Sequence, residues 1–277
     1  MLCIVRDITE RKKAAEKIQR INTQLTGSIR YAKRILDSIL QSKVGLQEIL
    51  PSSFILFKPK DIVSGDFYWY TRQENKLVIV CADCTGHGVP GAFMSMIGSD
   101  RLNIIVNERH ETSPGKILAE LNRAIKNTLK QGEGKGSTKD GMDAAICTIN
   151  LDTNEMVYSG AYRPLWIVKG GVLEEVKATK VAVAGFTPDD QIFDEHTIKL
   201  EKGHQFYLTS DGYADQFGGK RGKKYMVKAM KSFIIENCDK TYSEQSQSLE
   251  NEIVRWMASF EPHCEQIDDI CVIGFEV

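Results

Sequence analysis

The hydrophobic pattern of this chain changes its period near Pro51. Before that point, residues 10 to about 46 contain no proline, and the positions along one side recur at alternating steps of three and four. A repeat of 3.5 residues predicts a long helix with a coiled-coil seam. The seam positions are Ile18, Ile21, Leu25, Ser28, Ala32, Ile35 and Ile39.

The seam changes character at Gly27, a poor helix former that lies beside the polar Ser28. After this point Ile29, Leu36 and Leu40 widen the apolar stripe. A narrow seam suits contact between two helices, whereas a wide stripe suits packing on a globular body. We therefore expect a first half that forms a homodimer and a second half that docks on the following domain, joined by a weak point.

Beyond Pro51 the chain is rich in short segments of β-branched and aromatic residues separated by turn signals, which predicts strands. Because these strands cluster, with helices grouped between them, the pattern favours an α+β fold with antiparallel sheets over alternating βαβ units. Residues 132–141 are polar and glycine-rich and predict a loop. Helices are expected over residues 89–107, 113–131, 222–237 and 243–260.

Composition and charge exclude several classes of protein. Hydrophobic residues make up 42% of the 277, which is ordinary for a globular protein. The net charge of −1 gives no electrostatic reason for binding nucleic acid or an anionic membrane. No apolar run approaches the roughly 20 residues of a membrane-spanning helix. Seven scattered cysteines, an odd number, predict reduced thiols and a cytoplasmic location.

Acidic residues recur at the ends of the predicted strands. If these carboxylates converge, they must become protonated or bind cations, because two carboxylates about 4 Å apart repel by roughly 4 kcal/mol at an effective dielectric constant near 20. Ligation by oxygen alone favours Mg²⁺ or Mn²⁺ over zinc. A pair of such ions can activate water for attack on a phosphate ester. The acids are Asp66, Asp83, Asp211, Asp268 and Asp269.

Cys81 and Cys84 raise the alternative of a zinc or redox site. Zinc requires two further soft ligands, and only His87 lies close in the sequence. A redox pair requires an exposed thiolate, yet Cys81 lies within an apolar strand segment. The glycine pattern of a nucleotide-binding loop is absent. A scaffold that keeps the fold without catalysis remains the alternative to an enzyme.

Several motifs resemble the PPM-type metal-dependent protein phosphatases, in their SpoIIE/RsbU-like bacterial branch. They are SGDFYWY, ADCTGHGVPGAFMS, SGAYRPLW, TSDGYADQFGG and DDICVIGF. The resemblance implies a central antiparallel β-sandwich flanked by helix pairs, and dephosphorylation of phosphoserine or phosphothreonine on a protein. The start of the chain also resembles the exit of a PAS-type sensor domain and its linker helix. We therefore expect a sensor remnant over residues 1–9, a signalling helix over 10–46 and a phosphatase domain over 47–277.

The resemblance also implies roles for residues around two Mn²⁺ or Mg²⁺ ions, with room for a third. Asp83 would bridge both ions. Asp66 and the carbonyl oxygen of Cys84 would bind one ion, and Asp211 and Asp268 the other. Asp268 is preferred over its neighbour Asp269 because it matches the first position of the family's acidic signature.

Two departures from the family pattern affect substrate binding. Ile62 stands where the eukaryotic members of the family carry a phosphate-binding arginine, so Lys58, Lys60 or Arg163 would have to substitute for it. Thr85 stands where the eukaryotic members carry a histidine proposed as a general acid. His87 lies two residues further on, where it could donate a proton or position the turn.

Other expected contacts with substrate come from Gly86 and His87 in the turn and from a basic, glycine-rich loop over residues 216–225. In that loop, Lys220 and Arg221 would meet an acidic phosphoprotein, and the glycines would make a flexible flap. In this branch of the family, the substrate is expected to be a phosphorylated STAS-type anti-anti-sigma protein. Residues 29–46 would transmit a sensor signal to the phosphatase domain.

Overall fold

The computed structural model describes residues 9–132 and 137–277, with the side chain of Lys43 left out. The predicted sensor remnant, up to residue 8, and part of the predicted glycine-rich loop therefore lie outside the described residues. The helices are α1 (Thr9–Ile39), α2 (Lys43–Ile49), α3 (Gly88–Leu102), α4 (Pro114–Thr128), α5 (Gly212–Asp215), α6 (Val227–Asn237) and α7 (Tyr242–Ala258), and a π-helical segment (Asn103–Glu108) continues α3.

The strands make two antiparallel sheets and a short hairpin. The first sheet contains β1 (Ser53–Lys58), β13 (Ile270–Glu276), β10 (Gln205–Thr209), β6 (Leu165–Lys169) and β7 (Val172–Val176), in that order. The second contains β2 (Phe67–Gln73), β3 (Lys76–Cys84), β4 (Gly141–Asn150), β5 (Glu155–Ala161) and β9 (Glu195–Lys199), with β8 (Val183–Ala184) beside β4. The hairpin joins β11 (Phe217–Gly218) to β12 (Lys223–Lys224).

Alternation along the strands explains how the two sheets pack. In β3, Ile79 and Cys81 point into the interior between the sheets, whereas Val78 and Val80 pack in a second cluster with α3 and α4. A third cluster joins the outer face of the first sheet to α6 and α7. The molecule is thus a β-sandwich with a helix pair on each outer face, which confirms the predicted fold class.

The N-terminal helix is shorter than the sequence predicts. It runs unbroken through Gly27, the expected weak point, but α1 ends before the chain reaches α2. The hydroxyls of Tyr68 and Tyr70 donate to the carbonyls of Gln41 and Ser42, at 2.8 and 2.6 Å, so strand β2 binds backbone oxygens that a continuous helix would use. The Ser42 hydroxyl then caps α2.

The other predicted helices are found, with one shifted start. Helix α6 begins at Val227, whereas the sequence predicted residue 222, because Lys223 and Lys224 pair with the strand before them. Among the described residues, no helix is both long enough and apolar enough to cross a membrane. All six cysteines within the described residues are free.

Candidate metal and phosphate site

Four of the predicted acids meet where strand ends of both sheets adjoin. Asp66 precedes β2, Asp83 lies near the end of β3, Asp211 follows β10 and Asp268 precedes β13. Burial raises the pKa of Asp66, Asp83 and Asp268. The charge of a neighbouring acid raises each pKa further, since Asp83 acts on Asp66, and Asp211 acts on both Asp83 and Asp268. The sandwich therefore brings these acids into one electrostatic group.

Asp66 is the most deeply buried of the four, with 2% of its surface exposed. Its Oδ2 atom is buried and has no hydrogen-bond partner in the described structure. An unpaired buried carboxylate oxygen is unfavourable unless a proton or a cation satisfies it. The donor set and this free oxygen fit a hard divalent cation.

Asp83 interacts electrostatically with both Asp66 and Asp211. Burial, and then the charge of Asp211, raise its pKa to about 7, although the positive charge of Arg163 acts in the opposite direction. The backbone N–H of Asp211 lies 3.4 Å from Asp83 Oδ2. Such a carboxylate binds a proton or a metal ion far more readily than an exposed aspartate does.

Arg163 supplies the positive charge inside this group. Its Nη2 atom lies 2.6 Å from Asp143 Oδ2, 2.8 Å from Asp211 Oδ2 and 3.5 Å from Asp83 Oδ2. Burial alone would lower the pKa of Arg163, but the three acids raise it above its ordinary value. Within the described residues, no group of three or more acidic, histidine or cysteine side chains is arranged so that it could hold a metal ion, and the guanidinium contacts two of the carboxylates that would have to do so.

Asp143 is a site residue that the sequence analysis missed. It lies on β4 directly opposite Asp83 on β3, so strand pairing brings it to the site. Burial raises the pKa of Asp143, and Arg163 limits that rise. An acid within the otherwise apolar segment MDAAIC was the available signal, since a buried acid requires a partner.

Asp268 and Asp269 have different surroundings. The two oxygens of Asp269 accept the backbone N–H groups of Lys60 and Gly65, each at 2.8 Å, and only 2% of the residue is exposed. Asp269 thus ties the loop before Asp66 to the start of β13. Asp268 is half-buried, and its Oδ1 atom accepts the N–H of Asp269. This geometry favours Asp268 over Asp269 as a ligand.

The turn after β3 is held by close backbone packing. A Cβ atom at either Gly65 or Gly91 would clash with the carbonyl oxygen of Gly86, which itself has a φ of +85°. The carbonyl oxygen of Cys84 faces the same loop, near Gly65. The thiol of Cys84 is buried, and its pKa is raised by burial, so only its carbonyl oxygen suits a hard cation.

His87 follows this turn and contacts two side chains that the sequence did not link to it. Its Nδ1 atom lies 2.7 Å from Asp61 Oδ2, and its Nε2 atom lies 2.9 Å from Lys60 Nζ. About half of the His87 side chain is exposed. His87 and Lys60 therefore belong to one group at the rim of the acidic site.

Lys220 and Arg221 lie at the exposed tip of the β11–β12 hairpin. Among the contacts of the described residues, neither makes an ion pair with the acids of the site. The neighbouring glycines have a packing role, because a Cβ atom at Gly219 would lie 2.5 Å from the ring of Trp256. Whether the hairpin binds substrate stays a prediction.

Comparison with known proteins agrees with this architecture. The family model described as Stage II sporulation protein E (SpoIIE) matches residues 73–277. Phosphoserine phosphatase RsbU of Bacillus subtilis (strain 168) is 26% identical over 214 residues, covering 72% of this chain and 57% of RsbU. The chain thus spans little more than half the length of that relative.

Solved structures share the fold. The SiaA-PP2C domain of Pseudomonas aeruginosa has a TM-score of 0.82 and 27% identity, covering 93% of this chain and 98% of that domain. RsbX in complex with magnesium has a TM-score of 0.55 and 19% identity, covering 80% of this chain and 92% of RsbX. This chain belongs to the SpoIIE family, within the RsbU-like PPM-type phosphatases.

Proposed function

We propose that this chain hydrolyses phosphoserine or phosphothreonine on a regulatory protein with the help of two Mn²⁺ or Mg²⁺ ions. The observation that carries the proposal is the group of four acids at the junction of the sheets, with an unpaired buried oxygen on Asp66. The structure of RsbX with magnesium supports a hard divalent cation in this fold. When bound, the ions would activate water and neutralise the phosphate ester.

The protein's own residues would position these components. Asp83 would lie between the two ions, Asp66 and the Cys84 carbonyl on one side, and Asp211 and Asp268 on the other. Asp269 would hold the loop that carries Asp66 in register through its two backbone hydrogen bonds. No cysteine or serine nucleophile is needed, in keeping with the buried, protonated thiols of Cys84 and Cys147.

Metal dependence is the direct test of this function. We expect hydrolysis of a phosphoserine peptide and of p-nitrophenyl phosphate in Mn²⁺ or Mg²⁺, and its loss in EDTA, because the carboxylates alone provide no charge to balance the phosphate. Release of inorganic phosphate measures the reaction. A folded protein that is inactive with every divalent metal tried would favour the alternative, a signalling scaffold that retains the phosphatase fold.

The identity of the phosphoprotein is a finer proposal. The name of RsbU, a phosphoserine phosphatase, supports a phosphorylated protein partner. A phosphorylated STAS-type anti-anti-sigma protein in the cytoplasm is the partner that the family resemblance favours, and the exposed Lys220 and Arg221 would attract its acidic surface.

The first half of α1 supports dimerisation and regulation through the helix. Its seam residues Ile18, Ile21 and Leu25 are each more than half exposed, although they are large and apolar. A second copy of the helix would cover them. Ile29 and Leu36, further along, are partly buried toward α3, so the same helix could carry a change at the dimer contact to the helix that follows Asp83.

We expect the double variant Ile18→Glu/Ile21→Glu to be monomeric and to differ from wild type in turnover number, because charge on the seam opposes helix pairing. Sedimentation equilibrium and steady-state kinetics measure the two effects. Gln19→Glu/Asn22→Asp places the same charge off the seam and should remain dimeric. A wild-type protein that is already monomeric would contradict the dimer, and equal turnover numbers would contradict regulation.

A further inference from the structure

Three side chains at the rim of the acidic site form a chain of contacts that the metal proposal does not use. Asp61 Oδ2 lies 2.7 Å from His87 Nδ1, and His87 Nε2 lies 2.9 Å from Lys60 Nζ. The Asp61 and His87 side chains are each about half exposed. The loop before β2 and the turn after β3 are thus linked through one imidazole ring.

Donor and acceptor chemistry determines the protonation of that ring. A lysine ammonium has three N–H donors and no acceptor, so His87 Nε2 must accept a hydrogen bond from Lys60. The ring proton then resides on Nδ1, from which it is donated to Asp61. His87 in this arrangement is neutral and has no proton on the nitrogen that faces Lys60. It is therefore arranged to hold the ammonium group and not to donate a proton.

The backbone of Lys60 makes a hydrogen bond of its own. Its N–H donates to Asp269 Oδ1, and the other oxygen of the same carboxylate accepts the N–H of Gly65, next to Asp66. The charge of Lys60 also acts on Asp268, which places the ammonium within electrostatic reach of the acidic site. Lys60 is thus held at the rim by contacts at both ends.

Lys60 and Arg163 are the two cations near the site that could bind phosphate, and they differ in their carboxylate partners. Arg163 is shared by three carboxylates and its charge is compensated. Lys60 makes no ion pair with a carboxylate among the described residues, because the neutral ring of His87 separates it from Asp61. A fixed cation beside a site for a phosphate ester favours binding of the phosphoryl oxygens.

We propose that Lys60 binds the phosphoryl group of the substrate at the rim of the acidic site, and that Asp61 and His87 are positioning residues that hold its ammonium group. The inference rests on the proposed phosphatase function and assigns its phosphate contact. Lys60 would thereby do what the phosphate-binding arginine does in those family members that carry it at the position of Ile62. The contact between Lys60 and the phosphoryl group would be the same for any phosphoserine protein.

The test compares Lys60→Ala, Lys60→Arg and His87→Ala with wild type in Mn²⁺. A charge-assisted hydrogen bond contributes about 1.5–3 kcal/mol, so Lys60→Ala should raise both KM and the inhibition constant of inorganic phosphate by about 10- to 100-fold. Lys60→Arg should recover part of this loss. Calorimetric Mn²⁺ affinity should remain within about twofold, and Lys202→Ala, which removes an exposed charge elsewhere, should match wild type.

A double variant distinguishes positioning from proton donation by His87. If His87 acts through Lys60, Lys60→Ala/His87→Ala should be no worse than Lys60→Ala alone. A general acid would instead lower kcat for a phosphoserine peptide, which has a poor leaving group, and spare p-nitrophenyl phosphate. That second pattern, or an unchanged phosphate inhibition constant in Lys60→Ala, would overturn the proposal.

If the proposed phosphatase function is wrong, the wild-type protein itself will be inactive, and this outcome is distinct from a failure of the Lys60 assignment. Calorimetric binding of inorganic phosphate to the Mn²⁺-loaded wild type and to Lys60→Ala then decides the assignment without turnover. A loss of about tenfold or more in affinity supports Lys60 as the phosphate contact. Equal binding, or no binding to either protein, contradicts it.

Discussion

Replacement of Asp83 by asparagine is expected to lower Mn²⁺-dependent kcat/KM by about 1000-fold or more, a loss of about 4 kcal/mol of transition-state stabilisation. Asp83 is the only acid of the site that is expected to contact both ions. An amide keeps the shape of the side chain but removes the charge that binds them. Hydrolysis of p-nitrophenyl phosphate and calorimetric titration with Mn²⁺ measure the two losses.

The same variant should be more stable than wild type when EDTA removes metal. Asp83 has a folded-state pKa of about 7 against an ordinary 3.8, so the folded state binds more protons than the unfolded state between these values. Stability therefore falls as pH rises from about 4 to 7. Asparagine does not titrate and so avoids this loss. We expect the free energy of unfolding of Asp83→Asn to exceed that of wild type by about 1–3 kcal/mol at pH 8, and the difference to disappear below pH 4.

Two variants serve as controls for Asp83→Asn. Asp190→Asn removes an exposed charge outside the site and should change neither activity nor its pH dependence. Asp269→Asn should lose stability, because an amide cannot accept two backbone N–H groups in the same geometry, and should retain more metal affinity than Asp268→Asn. An Asp83→Asn protein that kept its activity would contradict Asp83 as a metal ligand. One that lost stability at pH 8 would contradict a buried, unfavourable charge on Asp83.

Replacement of Arg163 by methionine is expected to have the opposite effect on stability. Asp83, Asp143 and Asp211 would lose the cation that they share, and the arginine side chain is only 17% exposed. Breaking a buried ion pair from one side destabilises a protein by about 3–5 kcal/mol. We expect a loss of this order at pH 8 in EDTA, measured by urea unfolding, and a smaller loss at pH 5, which lies below the pKa of about 7 to which burial and Asp211 raise Asp83.

Asp143→Asn in the Arg163→Met background tests the cause of that loss. Removal of one uncompensated carboxylate should recover part of the stability, so the two effects should be strongly non-additive. Asp152→Asn changes an exposed aspartate remote from Arg163 and should recover none. Unchanged stability of Arg163→Met at pH 8, or equal losses at pH 5 and pH 8, would contradict the electrostatic explanation.

The two cations at the site have different roles in this scheme. Arg163 lies among the acids and compensates their repulsion, whereas Lys60 lies at the rim and has no carboxylate partner of its own. The sequence left both as candidates for phosphate binding, together with Lys58. Their surroundings, which come from distant parts of the chain, separate a stabilising charge from one that is available to a substrate.

Local patterns in the sequence predicted an α+β fold with antiparallel sheets and acids at strand ends, and the family resemblance implied the sandwich with its helix pairs. The continuous apolar run LVIVC predicted a strand, and the structure places Cys81 inside the sandwich with 1% of its surface exposed. The acids at strand ends, together with the family motifs, identified Asp66, Asp83, Asp211 and Asp268. A strand end is a local property, so the sequence reveals it without knowledge of the pairing.

Tertiary structure alone decided which polar groups meet. Asp143 reaches the site because β4 pairs with β3 in a register that places it opposite Asp83. Asp269 holds a loop about 200 residues away in the sequence, and α1 ends just before Gln41 and Ser42, whose carbonyl groups accept hydrogen bonds from two tyrosines of β2. These outcomes depend on contacts between remote segments, for which hydrophobic periodicity carries no signal. The sequence by itself thus indicated the fold class and the acids at strand ends, whereas strand pairing and the packing of the two sheets determined their partners and brought Asp143 to the site.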